Sequence, residues 1–235
     1  MLSLKIQSKE LKDRLQDAAK QIPYATARAI NDVAFKVRDG MKGEIAAAFD
    51  RPTSWTLNSV LVDKADKTGL RAAVYIRQDT PNGTAPADYL GAQVEGGGRN
   101  LKPYERGLNV GTIWQRFKRR AFGAGLKWLP ASGATTDAHG NITKGYARRL
   151  LNEAGRPGSK FIPFVPDDGG APLILQQIRK ATRKRPAEYK VALIGVPRVS
   201  YKRRLRFQQV SESILRATYE KALEKRLDEA LKTAR

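Results

Sequence analysis

The sequence predicts an α+β fold: long N- and C-terminal helices packed on a small, mostly antiparallel sheet, with a basic, glycine-rich insertion. Three patterns carry that expectation. Apolar residues recur every three or four positions from Ile30 to Phe49 and again from Leu215 to Leu231, the period of one helix face. Residues 70–77 and 189–196 alternate with a period of two, as half-buried strands do. Between 109 and 158 neither period is sustained, which predicts an inserted arm.

Taken in order, residues 9–20 predict a short polar helix stopped at Pro23. A second helix is expected over 24–49, with its stripe on Ile30, Val33, Ala34, Val37, Met41, Ile45 and Phe49. Gly40 and Gly43 each weaken it by roughly 1 kcal/mol relative to alanine, or else mark the close approach of another element. Asp50-Arg51-Pro52 ends it. A β-hairpin follows, with Val60 and Val62 on one strand and Asp66-Lys67-Thr68-Gly69 as the turn. On the second strand Leu70, Ala72, Val74 and Ile76 share a face. Short helices are expected at 87–95, stopped by Gly96-Gly97-Gly98, and at 103–108. In the arm, 137–141 reads as a turn and 143–153 as a helix. Strands at 161–165 and 189–196 bracket an expected helix at 173–184. The last helix, 210–234, carries Leu215, Tyr219, Leu223, Leu227 and Leu231, a stripe too apolar for water that predicts a core or subunit contact. Residues 1–108 and 159–235 are thus expected to form one core domain around a 109–158 arm.

Charge narrows the function. The net charge is +21, and 24 basic against 6 acidic side chains lie in 99–206. Residues 1–98 hold 14 and 12, and residues 207–235 hold 6 and 5. A block of one sign implies a polyanionic partner, either nucleic acid or an acidic protein surface. The chain has no cysteine, which rules out disulfides and thiol nucleophiles and suits a reducing cytoplasm. No run approaches the roughly 20 apolar residues of a membrane helix, and early charges from Lys9 to Arg14 argue against an export signal.

Nothing in the sequence assembles a catalytic centre. The single histidine, His139, lies in a glycine-rich turn, too isolated for a nucleophile–base pair or a zinc site. Asp167-Asp168 reads as part of a Pro-Asp-Asp-Gly-Gly turn rather than a two-metal carboxylate pair. Gly96-Gly97-Gly98-Arg99 lacks the Lys and hydroxyl residue of a phosphate loop. The expectation is a binding or structural protein, not an enzyme, with no metal and no cofactor.

Three clusters carry the positive charge. Arg116, Lys118, Arg119 and Arg120 are interleaved with Trp114, Phe117 and Phe122, with Trp128 nearby. The second cluster runs from Arg179-Lys180 to Arg183-Lys184-Arg185, and the third, from Arg198 to Arg206, includes Lys202, Arg203 and Arg204. Arg116, Lys118, Arg119, Arg120, Lys184, Arg185, Lys202, Arg203 and Arg204 are candidate contacts to a polyanion or protein partner. Trp114, Phe117, Phe122 and Trp128 are candidate interface anchors. No base-reading motif is present, so contact with DNA would be to the backbone and independent of sequence.

The segment Ala25-Thr26-Ala27-Arg28-Ala29-Ile30-Asn31-Asp32-Val33-Ala34-Phe35 resembles the opening helix of the minor tail protein Z family of long-tailed bacteriophages. Phe49-Asp50-Arg51-Pro52-Thr53, Thr56 to Val60, Tyr89-Leu90, Gln93 to Gly97, Glu105-Arg106 and Ile194-Gly195-Val196-Pro197 are similar to the same group. The resemblance covers most of the chain outside 109–158 and implies a virion protein of the tail or neck, assembled in the host cytoplasm. Its implied role is tail completion and head–tail joining, as a ring of identical subunits at the head-proximal end of the tail. Implied partners are further copies of the chain, the tail terminator and the head–tail connector, with acidic neighbours or channel DNA against the basic middle. No catalytic residue is implied. The alternative reading is a sequence-independent nucleic-acid-binding protein outside any virion.

Overall fold

In the computed structural model, residues 8–81, 83–110 and 125–233 are described. The chain is α+β and divides into two compact units, one built from 1–77 and 205–235 and the other from 78–204.

The first unit is dominated by helix α1 (Ser8–Ala48) and helix α6 (Phe207–Thr233). α1 buries Ala25, Ala27, Ala29, Val33, Ala34, Val37, Met41 and Ile45, so the expected stripe is present and extends toward the N-terminus. The two helices expected on either side of Pro23 are instead one, with Pro23 inside it. A proline there removes a hydrogen-bond donor and crowds the preceding turn. The alanines buried immediately after it and the packing of α6 along α1 hold the helix through that defect. Gly40 marks a close approach, because a methyl group there would collide with the Ile214 side chain of α6. Gly43 faces open space and has no such role.

A short helix α2 (Ser54–Leu57) leads into strands β1 (Val60–Asp63) and β2 (Ala73–Ile76). They pair antiparallel with Val60 opposite Ile76 and pack on α1. Thr53 caps α2 by accepting the Thr56 N–H at 3.1 Å. In the turn, Asp66 Oδ1 accepts the N–H groups of Thr68 and Gly69. Asn31 fastens the end of β1 to α1, its amide donating to the Ala65 carbonyl and accepting the Ala65 N–H, both at 2.8 Å.

The second unit holds helices α3 (Pro86–Val94), α4 (Pro103–Val110) and α5 (Lys144–Glu153). Its sheet, ordered β3-β6-β5-β4, joins β3 (Lys127–Pro130), β4 (Phe161–Phe164), β5 (Leu173–Arg179) and β6 (Glu188–Val196), all antiparallel. The sequence predicts one small sheet from strands within 57–78 and 160–197, but these belong to two separate sheets. Two further expectations are corrected. Residues 173–179 form β5, not a helix: Ile174 is fully buried and the segment pairs along β6. Periodicity cannot separate helix from strand in so short an apolar run. The described part of 109–158 is not an arm. Leu126, Trp128, Tyr146, Leu150 and Ala154 join Leu108, Phe161, Ile174, Ala192 and Leu193 in one core.

Candidate functional site

The second basic cluster is the far end of the β5–β6 hairpin. Arg179 opposes Glu188, and their side chains form an ion pair at 3.1 Å. Beyond that pair the ribbon closes through Thr182 and Arg185, which exchange backbone hydrogen bonds of 2.8 and 3.3 Å across Arg183-Lys184. Neither turn residue has a positive φ, so the tip needs no glycine and carries two long basic side chains. Ile178 to Pro186 are exposed without interruption. Among the described residues no carboxylate pairs with Lys180, Arg183, Lys184 or Arg185. The structure thus places Lys184 and Arg185, both expected contact residues, at the tip of a projecting ribbon.

The third cluster is held differently. Arg198, Lys202, Arg203 and Arg204 are exposed on a segment tied to α3 and to the turn after it. Gly97 and Tyr201 exchange backbone hydrogen bonds, the Arg204 N–H donates to the Gln93 carbonyl, and Arg203 Nε donates to the Glu95 carbonyl. Gly96 and Gly97 have φ of +80° and +95°, which is why glycine stands at this turn.

Beneath this segment lies a polar network that sequence reasoning missed. Glu105 is fully buried, and Arg99 grips it with two hydrogen bonds of 2.6 and 2.7 Å. The same carboxylate accepts the N–H of Lys102 at 2.7 Å and of Trp128 at 2.9 Å, so four donors converge on it. Arg99 Nε also donates to the Tyr201 hydroxyl at 3.2 Å, linking the network to the third cluster. Hydrogen bonding to Glu105 raises the Arg99 guanidinium above its ordinary value, while burial lowers the Lys102 ammonium, aided by the Arg99 charge. Arg99 and Glu105, six residues apart with Lys102-Pro103 between them, carry no mark in the sequence of being buried together.

Trp128 corrects another expectation. It is fully buried in the core, its ring packed so closely on Gly195 that a Cβ there would lie 3.0 Å away. Its indole N–H donates to Asn109 at 3.2 Å. A buried core ring cannot anchor a partner. The other expected anchors, Trp114, Phe117 and Phe122, and the basic residues Arg116, Lys118, Arg119 and Arg120, lie outside the described residues.

The first unit contributes a groove of about 550 Å³ between α1, β2 and α6. Its floor is Val33, Ala34, Val37 and Val74, and its rim includes Leu70, Leu215 and Tyr219 at 45%, 51% and 37% exposure. Among the described residues that line it, only Arg71 and Glu212 are charged. Of the α6 stripe, expected at a core or subunit contact, Leu223 and Leu227 are half-buried, while Leu215, Tyr219 and Leu231 stay open.

Of the candidate chemical groups, Asp137 Oδ1 accepts the N–H groups of His139 and Asn141, and Asp168 Oδ1 accepts that of Gly170. Both aspartates shape turns. Among the described residues no three His, Cys, Asp or Glu side chains gather to hold a metal, and no helix is long and apolar enough to cross a membrane. No family model, curated protein or solved structure matches the chain.

Proposed function

We propose that the chain is a structural protein of a tailed phage particle, one subunit of a ring at the head-proximal end of the tail. There it completes the tail and joins it to the head, without catalysis. The observation that carries this reading is the apolar groove of the first unit, open among the described residues of that unit. Contiguous exposed apolar surface on a folded unit marks a place where another protein belongs. We assign the groove to an adjacent copy of the same chain. Two copies of charge +21 repel, so they approach best through surface with little excess charge. The groove offers one Arg and one Glu around an apolar floor. A groove receiving a different surface of the next copy is a head-to-tail contact, which repeats and closes into a ring. The resemblance of Ala25–Phe35 and the shorter matching segments to the minor tail protein Z family supplies the particle, its neck neighbours and the virion location.

Mass spectrometry of purified virions tests the location, and the reading fails if the chain is absent from them. Sedimentation of the purified protein tests the groove: Leu215→Glu with Tyr219→Glu is expected to leave a folded monomer where the wild type assembles. A second reading, a sequence-independent nucleic-acid-binding protein outside the virion, is favoured by the basic hairpin, and the same virion measurement separates the two.

A further inference from the structure

We propose that the tip of the β5–β6 hairpin is a finger for duplex nucleic acid, entering a groove and neutralising the phosphates that flank it. The first argument is shape. β5 ends at Arg179, and from there to the turn at Arg183 four residues of extended chain reach at most about 13 Å. The major groove of a B-form duplex is about 8.5 Å deep and 12 Å wide and admits a two-stranded ribbon. The residues between the cations are Ala181, Thr182, Pro186 and Ala187, all small or compact, so the ribbon stays slim. The register shift between Gln177 and Arg179 is an irregularity of the kind that bends and twists a ribbon away from its parent sheet.

The second argument is charge. Lys180, Arg183, Lys184 and Arg185 are exposed and lack carboxylate partners among the described residues, while Arg179 is engaged by Glu188. Four like charges crowded on one tip repel each other, and a negative partner relieves that repulsion.

The residues absent from the tip select among polyanions. Protein interfaces centre on apolar and aromatic anchors and are depleted of charge at the core. Between 179 and 186 there is no aromatic and no large apolar side chain; Ile178 and Tyr189 lie below the tip. The same lack argues against single strands, whose bases stack on aromatic platforms. Without Asn or Gln at the tip, the bidentate amide contact that reads adenine is missing, and the long cations are left to meet the flanking phosphates. Pro186 has no N–H to offer a foreign strand, which disfavours edge-to-edge pairing as the purpose of this exposed ribbon.

The inference rests on the reading above for where the protein works, yet it is tested on purified full-length chain. Failure to bind DNA and absence from the virion are therefore separate results. Binding to a short mixed-sequence duplex is measured across a range of salt concentrations for the wild type and for the combined variant Lys180→Ala, Arg183→Ala, Lys184→Ala, Arg185→Ala. Removing one phosphate contact lowers the slope of log K against log salt by about 0.9. The variant is expected to lose a slope of about 3 to 4 and to melt no lower than the wild type, because every altered side chain is exposed and losing like charges relieves repulsion. Arg198→Ala with Lys202→Ala, two cations of the third cluster, serves as the comparison and is expected to change the slope by less than half as much. An unchanged slope in the hairpin variant overturns the proposal. So does equal or better competition by polyglutamate, which would make the partner an acidic protein, or a preference for single strand over duplex.

Discussion

Glu105 shows how much one side chain can carry. A carboxylate removed from water is costly unless its lone pairs are filled, and here two guanidinium N–H groups and two backbone N–H groups fill them. Replacing it with alanine strands Arg99 in a site where its side chain is 7% exposed and frees two N–H groups, that of Trp128 buried and that of Lys102 partly so. Glu105→Ala is expected to cost about 3 to 5 kcal/mol in denaturant unfolding, and a loss below 1 kcal/mol would mean the site relaxes or admits water. The glycines of α1 give a graded pair. Gly40→Ala makes the terminal methyl of half-buried Ile214 move aside, so the gain in helix propensity is offset and the variant is expected to be less stable than Gly43→Ala. Gly43→Ala meets open space in an exposed helical position and is expected to stabilise by up to about 1 kcal/mol. Asp32 supplies a pH test. Its hydrogen bonds from Arg226, at 2.6 and 3.0 Å, hold its carboxyl below the usual range against the opposing effect of burial. A depressed carboxylate stabilises the folded state above its unfolded value and loses that contribution as pH falls through the folded value. The melting difference between wild type and Asp32→Asn is thus expected to be present at neutral pH and to close below about pH 4, remaining small because the pair is partly in water.

At the scale of elements, what is legible in the sequence is what depends on nearest neighbours along the chain. The α1 stripe, the Asp66 turn, α3, α4, α5, β4, β6 and the span of α6 follow from period, caps and glycine stops. What is not legible depends on partners distant in sequence. β5 is a strand because β6 lies beside it; Leu173-Ile174-Leu175 alone fits either state. β3 has four residues, too few to show alternation, and only its pairing with 193–196 makes it a strand and brings Trp128 inside. The core stripe of α5, Tyr146, Leu150 and Ala154, is regular in retrospect but is obscured by the surrounding Lys144, Arg148 and Arg149. The basic cluster 179–185 is visible as charge, but its form as a ribbon tip is not, since that requires the strand assignment first. α1 also offers a test of how a helix outlasts its weakest residue. Pro23→Ala restores an N–H to the ladder and relieves the ring's clash, so α1 is expected to gain up to about 3 kcal/mol. Circular dichroism and thermal melting read the gain, and a loss of stability would show that the proline's geometry is itself required.

At the scale of the molecule, both end segments belong to one unit while the other is a continuous segment between β2 and α6. The core residues Leu108 to Leu193 all belong to that segment, as do the Arg99–Glu105 network and the hairpin. A fragment of residues 78–204 is therefore expected to fold by itself and melt cooperatively. The fragment carries 23 basic and 9 acidic side chains. Net charge of that size opposes compaction through self-repulsion. Raising ionic strength from 0.01 to 0.15 M shortens the screening length from about 30 Å to about 8 Å, which weakens repulsion between exposed cations across its surface. The buried Arg99–Glu105 pair lies out of reach of that screening, whereas Arg179–Glu188 is exposed and contributes little to begin with. Repulsion is thus the term that salt changes most. The melting temperature of the fragment is expected to rise with salt, and to rise further when a short duplex is added at low salt, by binding to the folded state. A melting temperature that falls with salt would mean that surface ion pairs, not repulsion, dominate this unit. The charge would then have been arranged for stability rather than held for a partner.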